Sequence, residues 1–469
     1  ACVSNTPQPE TLIDLEQCYL ERGLKAECGS ITVFENRGAG SGRELEIHFA
    51  VIRATGGRPV ADPIFFLAGG PGQSAIETFP FLINLISDMN ETRDFVFVDQ
   101  RGTGQSAPLQ CEEITELPPD SNITTEEYAD LLEDCRLRLS AQADLSQYTT
   151  DIAMTDLDEV RAGLGYETIN LVGISYGSRA AQVYMHMFPE RTRRVILDAV
   201  VSPSLVLNLQ SPQTGQDALD DLFARCMAET DCRTAYPTLE SSFQTLLDRL
   251  AEPQLVRFEY PLDQSIIESE LDQETFTAFL FNLMYSTDVV ALLPLLIEEA
   301  AESGDFGPIV EHYLALTDRA DPPIYLGMQM AVVCSEDAPF VNLDEVDAFV
   351  SGVFPSRADD LKEQCATWPQ REMADGFREP LESDIPVLML SGESDPITPP
   401  IFAEELEPGF TNNLHIRLGH FGHGILTTGC IPELTNDFLT EEAPLSIDTG
   451  CIEEINPQPF FVNFAGPPP

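Results

Sequence analysis

The residues around Ser175 have the spacing of a strand-to-helix turn that exposes a reactive hydroxyl. The motif is Gly-x-Ser-x-Gly, from Gly173 to Gly177, and an apolar, β-prone run at 170–172 precedes it. Glycines are needed there because strand and helix backbones approach too closely for side chains. A serine in such a turn is a candidate nucleophile. Chance would supply about 0.15 such motifs in a chain of this length, so the prediction depends on the surrounding elements.

A serine nucleophile needs a histidine base and a carboxylate that orients the histidine. In chains with this turn the order is serine, acid, histidine. The apolar run 385–390 ends shortly before Asp395, which is the predicted acid, and Glu393, nearer the strand end, is the alternative. His423 is the predicted base because two flanking glycines leave its backbone free to reach the serine.

Two other histidines follow Asp395 in the chain. His415 falls inside a predicted strand and is expected to pack there, whereas His420 shares a loop with His423 and is expected to lie at its rim. A metal site formed by His420 and His423 is disfavoured, because no His-Glu-x-x-His pattern accompanies them. We therefore predict neither a metal nor another cofactor.

Backbone N–H groups must stabilise the negative oxygen that forms during acyl transfer. One donor is predicted to be Tyr176, directly after the serine, and the other Gly70, in the Gly-Gly-Pro-Gly loop at 69–72. An ordinary Gly-Pro turn is the alternative, but this loop follows the third strand, where the second donor is found in such folds. Asp99 and Arg101, in a glycine-rich turn, are expected to brace loops.

Buried strands alternate with helices on both sides of the Ser175 motif. The alternation lapses after residue 201, and strands return at 385–390 and 414–418. The pattern predicts an α/β fold: a mostly parallel, doubly wound sheet with an inserted, mainly helical cap over the strand ends, where open sheets bind ligands. The predicted division is an N-terminal tether and lead-in at 1–29, a first core part at 30–203, a cap at 204–380 and a second core part at 381–469. The predicted cap helices are 216–228, 239–251, 274–284, 289–301 and 343–350.

The charge of the chain is extreme. Its 469 residues include 25 basic and 78 acidic side chains, for a net charge of −53. Nucleic-acid binding is disfavoured because phosphates would be repelled. High solubility and adaptation to salt both remain open as explanations. The apolar run 289–297 is among the longest and is too short to span a bilayer.

The cysteines favour an oxidising compartment. Eleven are present, many for a reducing environment, and none has the Cys-x-x-Cys spacing of a zinc site. Disulfides are favoured over buried free thiols, although sequence alone does not determine the connectivity. Pairing each cysteine with its neighbour leaves Cys2 alone and predicts Cys18–Cys28, Cys111–Cys135, Cys226–Cys232, Cys334–Cys365 and Cys430–Cys451.

The start of the sequence resembles a chain from which a signal peptide has been removed. Cys2 followed by a polar tether resembles the acylated cysteine of a bacterial lipoprotein, and an incidental thiol is the alternative. We therefore expect an exported bacterial protein that is periplasmic, lipoprotein-anchored or secreted. Membrane contact is expected only through a lipid on Cys2.

Five motifs occur in the order seen in α/β-hydrolases, at 69–72, 99–104, 173–177, 392–399 and 422–424. Over about residues 30–440 the chain resembles the proline iminopeptidase and tripeptidyl aminopeptidase family of serine exopeptidases. The stretch through Cys430 resembles that family's C-terminal region, and Cys334 with 365–368 resembles a disulfide-bearing stretch of its tripeptidyl members. Two positions depart from the family: Ala68 replaces a usual histidine, and Ile174 a common glycine.

This resemblance implies cleavage of peptides at their amino end, with the cap closing the site. It also implies that acidic residues hold the free amine of the substrate, and Glu336 and Asp337 are candidates, with solvated surface acids as the alternative. The chain is thus expected to be a serine hydrolase that acts through an acyl-enzyme on a peptide substrate. A carboxylesterase with the same triad, acting on an ester, is the first alternative, and a non-catalytic binding protein on a hydrolase scaffold is the second. No oligomeric state is predicted.

Overall fold

The computed structural model describes residues 13–117, 121, 123–207, 209–320, 323–343, 346 and 352–467. Cys2 and most of the predicted helix 343–350 lie outside these residues. The strands are β1 Glu16–Tyr19, β2 Lys25–Phe34, β3 Glu44–Ile52, β4 Ile64–Leu67, β5 Phe95–Val98, β6 Ile169–Ile174, β7 Thr192–Asp198, β8 Gln254–Glu259, β9 Ile266–Leu271, β10 Val387–Gly392 and β11 Asn413–Leu418. The helices are α1 Ala75–Thr78, α2 Ser87–Asn90, α3 Glu112–Thr115, α4 Thr125–Ser140, α5 Thr150–Gly163, α6 Tyr176–Met187, α7 Ser211–Ala228, α8 Thr230–Ala235, α9 Leu239–Arg249, α10 Gln273–Leu283, α11 Thr287–Val290, α12 Leu293–Ser303, α13 Gly307–Ala320, α14 Leu326–Glu336, α15 Ala358–Cys365, α16 Ile401–Glu404 and α17 Ile431–Thr440.

Within the described part of the chain, nine strands form one sheet in the order β1-β2-β3-β5-β4-β6-β7-β10-β11. The strands from β5 to β11 in this order run parallel, and β1 to β3 form an antiparallel edge. The prediction of a mostly parallel α/β sheet is therefore confirmed. Because parallel strands end at the same edge, the loops that follow β4, β6, β7, β10 and β11 meet there.

The strands β4 and β5 are apolar along their whole length because both faces of the sheet are covered there. In β4, Phe65 packs in the hydrophobic cluster on one face and Phe66 in the cluster on the other. In β5, Val96 packs in the same cluster as Phe65, and Phe97 packs in the same cluster as Phe66. Successive side chains of a strand point to opposite faces, so two covered faces require an unbroken apolar run.

The cap is inserted between β7 and β10 and has a hydrophobic cluster of its own, drawn mainly from α7, α9, α10, α12, α13 and the β8–β9 hairpin. The hairpin was not predicted, although Val256 and Phe258 are buried and alternate with exposed Leu255 and Arg257, as in a half-buried strand. The predicted helix 289–301 is divided between α11 and α12, and Pro294 occupies the first turn of α12, where proline is tolerated.

The segment that returns from the cap packs on the main core. Met328 and Val332 of α14, with Leu361 of α15, belong to the cluster on one face of the sheet. The segment expected to form a cap from 204 to 380 is thus shared between two hydrophobic clusters, because α14 and α15 are buried against the sheet whereas Phe354, between them, belongs to the cap cluster.

Five disulfides join the described cysteines, and their pairings match those predicted. The bonds are Cys18–Cys28, Cys111–Cys135, Cys226–Cys232, Cys334–Cys365 and Cys430–Cys451.

Among the described residues, no helix combines the length and apolar character needed to cross a bilayer.

Replacing Phe66 by alanine tests the packing beneath the sheet. Its ring is buried and lies 4.9 Å from Phe79, 4.9 Å from Phe95 and 5.3 Å from Phe97 between ring centroids. Phe66→Ala should lower the free energy of unfolding by about 3–5 kcal/mol, measured by urea denaturation, because a cavity remains. Phe464→Ala, at a side chain that is 64% exposed, should change it by less than about 0.5 kcal/mol. Equal effects would contradict this picture of the core.

Candidate active site

Ser175 occupies a strained turn between β6 and α6. Its backbone has φ 56° and ψ −127°, a left-handed conformation that non-glycine residues rarely adopt. Its N–H donates to the carbonyl of Asp198 at 2.9 Å, and its carbonyl accepts from the Ser178 hydroxyl at 2.6 Å. Strain that is held by bonds on both sides is typical of functional residues.

The glycines on either side of Ser175 are required by backbone contacts. A Cβ atom on Gly173 would lie 2.2 Å from the carbonyl oxygen of Gly177. A Cβ atom on Gly177 would lie 2.0 Å from the carbonyl oxygen of Leu67, at the end of β4. The start of α6 therefore packs directly on the ends of β6 and β4, as the sequence motif predicts.

His423 and Asp395 form a hydrogen-bonded pair at the ends of β11 and β10. The Nδ1 atom of His423 lies 2.8 Å from Oδ2 of Asp395. Asp395 also accepts from the N–H groups of Ile397 and Thr398 at 2.9 Å and from the Thr398 hydroxyl at 2.6 Å. The structure brings Asp395 to His423, whereas Glu393, the alternative acid, is exposed.

These contacts determine the charge state of Asp395. Burial alone would raise the pKa of this carboxyl. The electrostatic interaction with His423 and the hydrogen bonds from His423 and Thr398 outweigh burial, and they hold the pKa of Asp395 below its ordinary value. The pair therefore contains a carboxylate that stays ionised, which is what an orienting acid requires.

A second buried carboxylate, Asp198, lies beneath the loop of His423. Its oxygens accept from the N–H groups of Ile425, at 2.9 and 3.1 Å, and of Leu426, at 2.9 Å. Burial raises the pKa of Asp198 to about 6, although these donors and the charge of His423 oppose the shift. Asp198 thus fixes the backbone just after the histidine.

The loop after β4 lies against Ser175. A Cβ atom on Gly69 would be 3.3 Å from Cβ of Ser175, and Gly70 has φ +104°, which favours glycine. Asp99, at the end of β5, holds the next residues through the Ser74 hydroxyl at 2.5 Å and the Ile76 N–H at 3.1 Å. This geometry brings Gly70 to the region of the serine, and it gives Asp99 the bracing role expected of it.

The Tyr176 side chain points away from solvent into a buried network. Its hydroxyl lies 2.6 Å from Oγ1 of Thr150. Glu336 accepts from the Thr150 N–H at 2.7 Å and from the Thr150 hydroxyl at 2.8 Å. The side chain is thereby anchored to α5 and α14, while the backbone N–H begins α6, where first-turn amides lack partners within the helix.

The amine-binding role expected of Glu336 and Asp337 finds no support in this geometry. Both side chains are completely buried. Glu336 bonds Thr150, and Asp337 accepts from Arg179 at 3.1 Å and from Arg378 at 3.1 Å. Because protein groups already occupy these oxygens, neither carboxylate is available to a substrate amine.

The two other late histidines have partners of their own. His415 lies in β11, where Nδ1 is 2.9 Å from Glu407 and Nε2 is 3.0 Å from the Ser391 hydroxyl. Burial lowers the pKa of His415. His420 lies at the rim and contacts Asp221 of α7 at 2.9 Å.

The cap covers the histidine side of the site. The ring of Tyr285, just after α10, lies 5.0 Å from the ring of His423 between centroids. Behind it is a cavity of about 230 Å³ whose walls include Phe281, Phe354, Asn282 and Arg357. Aromatic walls with a few polar groups are typical of small-ligand pockets.

Sequence reasoning did not assign roles to Asp198, Thr398 or Tyr285. An acid at the end of a buried strand was a usable signal for Asp198, and Thr398 lies three residues after the predicted acid. Tyr285 carries no local signal, because its contact joins the cap to a loop more than 130 residues later.

Glu336 should make stability depend on pH. Burial raises its pKa to about 7 from an ordinary value of 4.5, partly offset by Arg179 and Thr150. The native state therefore keeps a proton that the unfolded chain releases, and stability falls as pH rises from about 4.5 to 7. Glu336→Gln should remove this contribution, which amounts to about 3 kcal/mol in the free energy of unfolding. The measurement is urea denaturation of both proteins at pH 5 and 8. The exposed Glu442→Gln is the control, and a pH dependence equal to wild type in Glu336→Gln would refute the assignment.

Comparisons with known proteins agree with the fold. A family model described as alpha/beta hydrolase fold matches residues 62–257, and one described as TAP-like protein matches residues 352–451. A tripeptidyl aminopeptidase of Streptomyces coelicolor is 26% identical over 490 aligned positions, covering 95% of this chain and 87% of that protein.

Two further relatives match over shorter stretches. A tripeptidyl aminopeptidase of Streptomyces lividans is 32% identical over 214 residues, covering 41% of this chain and 39% of that protein. The serine protease Hip1 of Mycobacterium tuberculosis is 28% identical over 211 residues, covering 41% of each chain. With the family matches, these similarities show that the chain has the α/β-hydrolase fold and a TAP-like C-terminal region, and they support a serine peptidase.

Proposed function

We propose that the protein removes amino-terminal residues or short peptides from peptide substrates through a Ser175-His423-Asp395 triad. The observation that carries the proposal is the strained turn of Ser175 at the same sheet edge as the hydrogen-bonded pair of His423 and Asp395. The names of the relatives support peptides as substrates, and the tripeptidyl aminopeptidases among them suggest release of tripeptides.

The chemistry proceeds through an acyl-enzyme. His423 takes the proton of the Ser175 hydroxyl as the oxygen attacks the scissile carbonyl, and Asp395 holds the imidazole in the required tautomer. The N–H groups of Gly70 and Tyr176 donate to the tetrahedral oxyanion. His423 then passes the proton to the leaving amine, so the C–N bond breaks and the acyl group stays on Ser175. Water, deprotonated by His423, releases the acyl group and restores the serine.

The electrostatics of the chain favour a substrate with a free amine. A net charge of −53 attracts an ammonium group at long range, an effect that salt screens. The cavity behind Tyr285 supplies aromatic walls for an apolar side chain. A carboxylesterase would use the same triad without needing an amine, and it is the alternative that a substrate panel tests.

We further propose that the protein is exported. The five disulfides are typical of oxidising compartments. A lipid on Cys2 would add a membrane anchor, and mass spectrometry of native protein tests this, because an unmodified cysteine removes the anchor.

Replacing each candidate acid in turn tests whether Asp395 or Glu393 is the acid of the triad. Asp395→Asn should lower kcat by about 10⁴-fold, because the amide favours the wrong imidazole tautomer. Glu393→Gln, at the exposed alternative, should retain activity within about twofold. The measurement is hydrolysis of a peptide nitroanilide, with Ser175→Ala as the inactive reference. Strong loss in Glu393→Gln with an active Asp395→Asn would reverse the assignment.

A substrate panel tests the peptide and the amine together. Tripeptidyl nitroanilides with a free amine should be hydrolysed, and their N-acetylated forms should lose at least about tenfold in kcat/KM, because a charge contact is removed. Aminoacyl nitroanilides and acyl nitrophenyl esters complete the panel. Turnover of the esters without any amide turnover would identify a carboxylesterase, and failure of a fluorophosphonate to label folded protein at Ser175 would argue against catalysis.

A further inference from the structure

One turn of the cap contacts the backbone of the predicted catalytic histidine. The N–H of His423 donates to the carbonyl of Tyr285 at 2.9 Å. The N–H of the preceding Gly422 donates to the hydroxyl of Thr287 at 2.9 Å. The Tyr285 ring also lies 5.0 Å from the imidazole ring. Three contacts from one cap turn, residues 285–287, therefore converge on two consecutive residues.

The neighbouring residues of the histidine loop are held by the core instead. The carbonyl of Phe421 accepts from the N–H of Ser394 at 2.9 Å. The N–H groups of Ile425 and Leu426 donate to Asp198. The core thus fixes the loop on both sides of the histidine, whereas the N–H groups of Gly422 and His423 donate to the cap.

The cap turn and the histidine loop are packed backbone to backbone. A Cβ atom on Gly422 would lie 2.6 Å from the carbonyl oxygen of Tyr285 and 3.0 Å from that of Met284. Gly422 is itself buried. Removing the acceptor of a buried N–H while the cap stays in place leaves that donor unpaired, which is unfavourable. Displacing the cap would take both protein acceptors away from the two donors beside the imidazole.

We propose that Tyr285 and Thr287 are positioning residues for His423, so that seating of the cap completes the triad as well as covering it. This rests on the proposed role of His423 as the base. Thr287 fixes the backbone that carries the imidazole, and Tyr285 restrains the ring against tilting. Hydrolysis is thereby coupled to the seated cap, and Ser175 lacks an aligned base when the cap is displaced.

Paired variants of Thr287 provide the test. Thr287→Val keeps the shape but removes the acceptor, and it should lower both kcat and the rate of fluorophosphonate labelling about tenfold, with KM within about twofold. Thr287→Ser restores the hydroxyl and should recover most of the activity. The control, Tyr236→Phe, removes a cap hydroxyl that donates to the carbonyl of Phe461 at 2.9 Å, away from the histidine. It should leave the labelling rate unchanged.

The readouts separate positioning from stability and from the proposed function. Labelling rates are taken per folded molecule, with the melting temperature measured for each variant. The role of Thr287 would be overturned if Thr287→Val were labelled at the wild-type rate. It would also be overturned if Thr287→Ser were labelled as slowly as Thr287→Val. If Thr287→Val does not fold, Tyr285→Leu is measured in its place, because this variant keeps the backbone carbonyl and removes the ring. It should slow labelling several-fold. An unchanged labelling rate would overturn the role of Tyr285. Wild-type protein that is not labelled at Ser175 would refute the proposed function instead.

Discussion

The arrangement of the site depends on the contact between bare backbones at the start of α6. Because Gly177 packs on the carbonyl of Leu67 and Gly173 on the carbonyl of Gly177, helix and strands meet more closely than side chains permit. That distance forces the intervening residue into a left-handed conformation, and the residue is Ser175. The hydroxyl of the proposed nucleophile is therefore presented by main-chain geometry, and the other groups of the site assemble around it.

The sheet supplies those other groups because its parallel strands end at one edge. Two carboxylates arrive there, and both are buried, yet their environments differ. The Asp395 carboxyl has its pKa held low by its electrostatic interaction with His423 and by its donors, whereas burial dominates at Asp198 and raises its pKa to about 6. Asp395 thus contacts the ring of the histidine and Asp198 the backbone that follows it, a division that the ends of the neighbouring strands β7 and β10 make possible.

Local patterns predicted what local physics determines. The apolar runs and the glycines of the serine turn could be predicted from short stretches, and the pairing of neighbouring cysteines is confirmed although sequence alone does not determine connectivity. The β8–β9 hairpin of the cap also has the alternation of apolar and polar residues that is typical of a strand, but it lies within a mainly helical segment and was not predicted. Glu336 and Asp337 illustrate the limit: their partners Thr150 and Arg179 lie more than 150 residues away in the chain, so only the fold reveals that both acids are internal.

The position of the cap within the sheet bears on how this architecture diversifies. The cap leaves the core after β7 and returns before β10, and these two strands are direct neighbours in register, with Val195 opposite Val387. An insertion that begins and ends on paired strands can be exchanged or enlarged during evolution without disturbing the sheet. Any replacement must still offer acceptors to the N–H groups of Gly422 and His423. The shape of the cap is therefore a looser structural requirement than the small contact between residues 285–287 and residues 422–423.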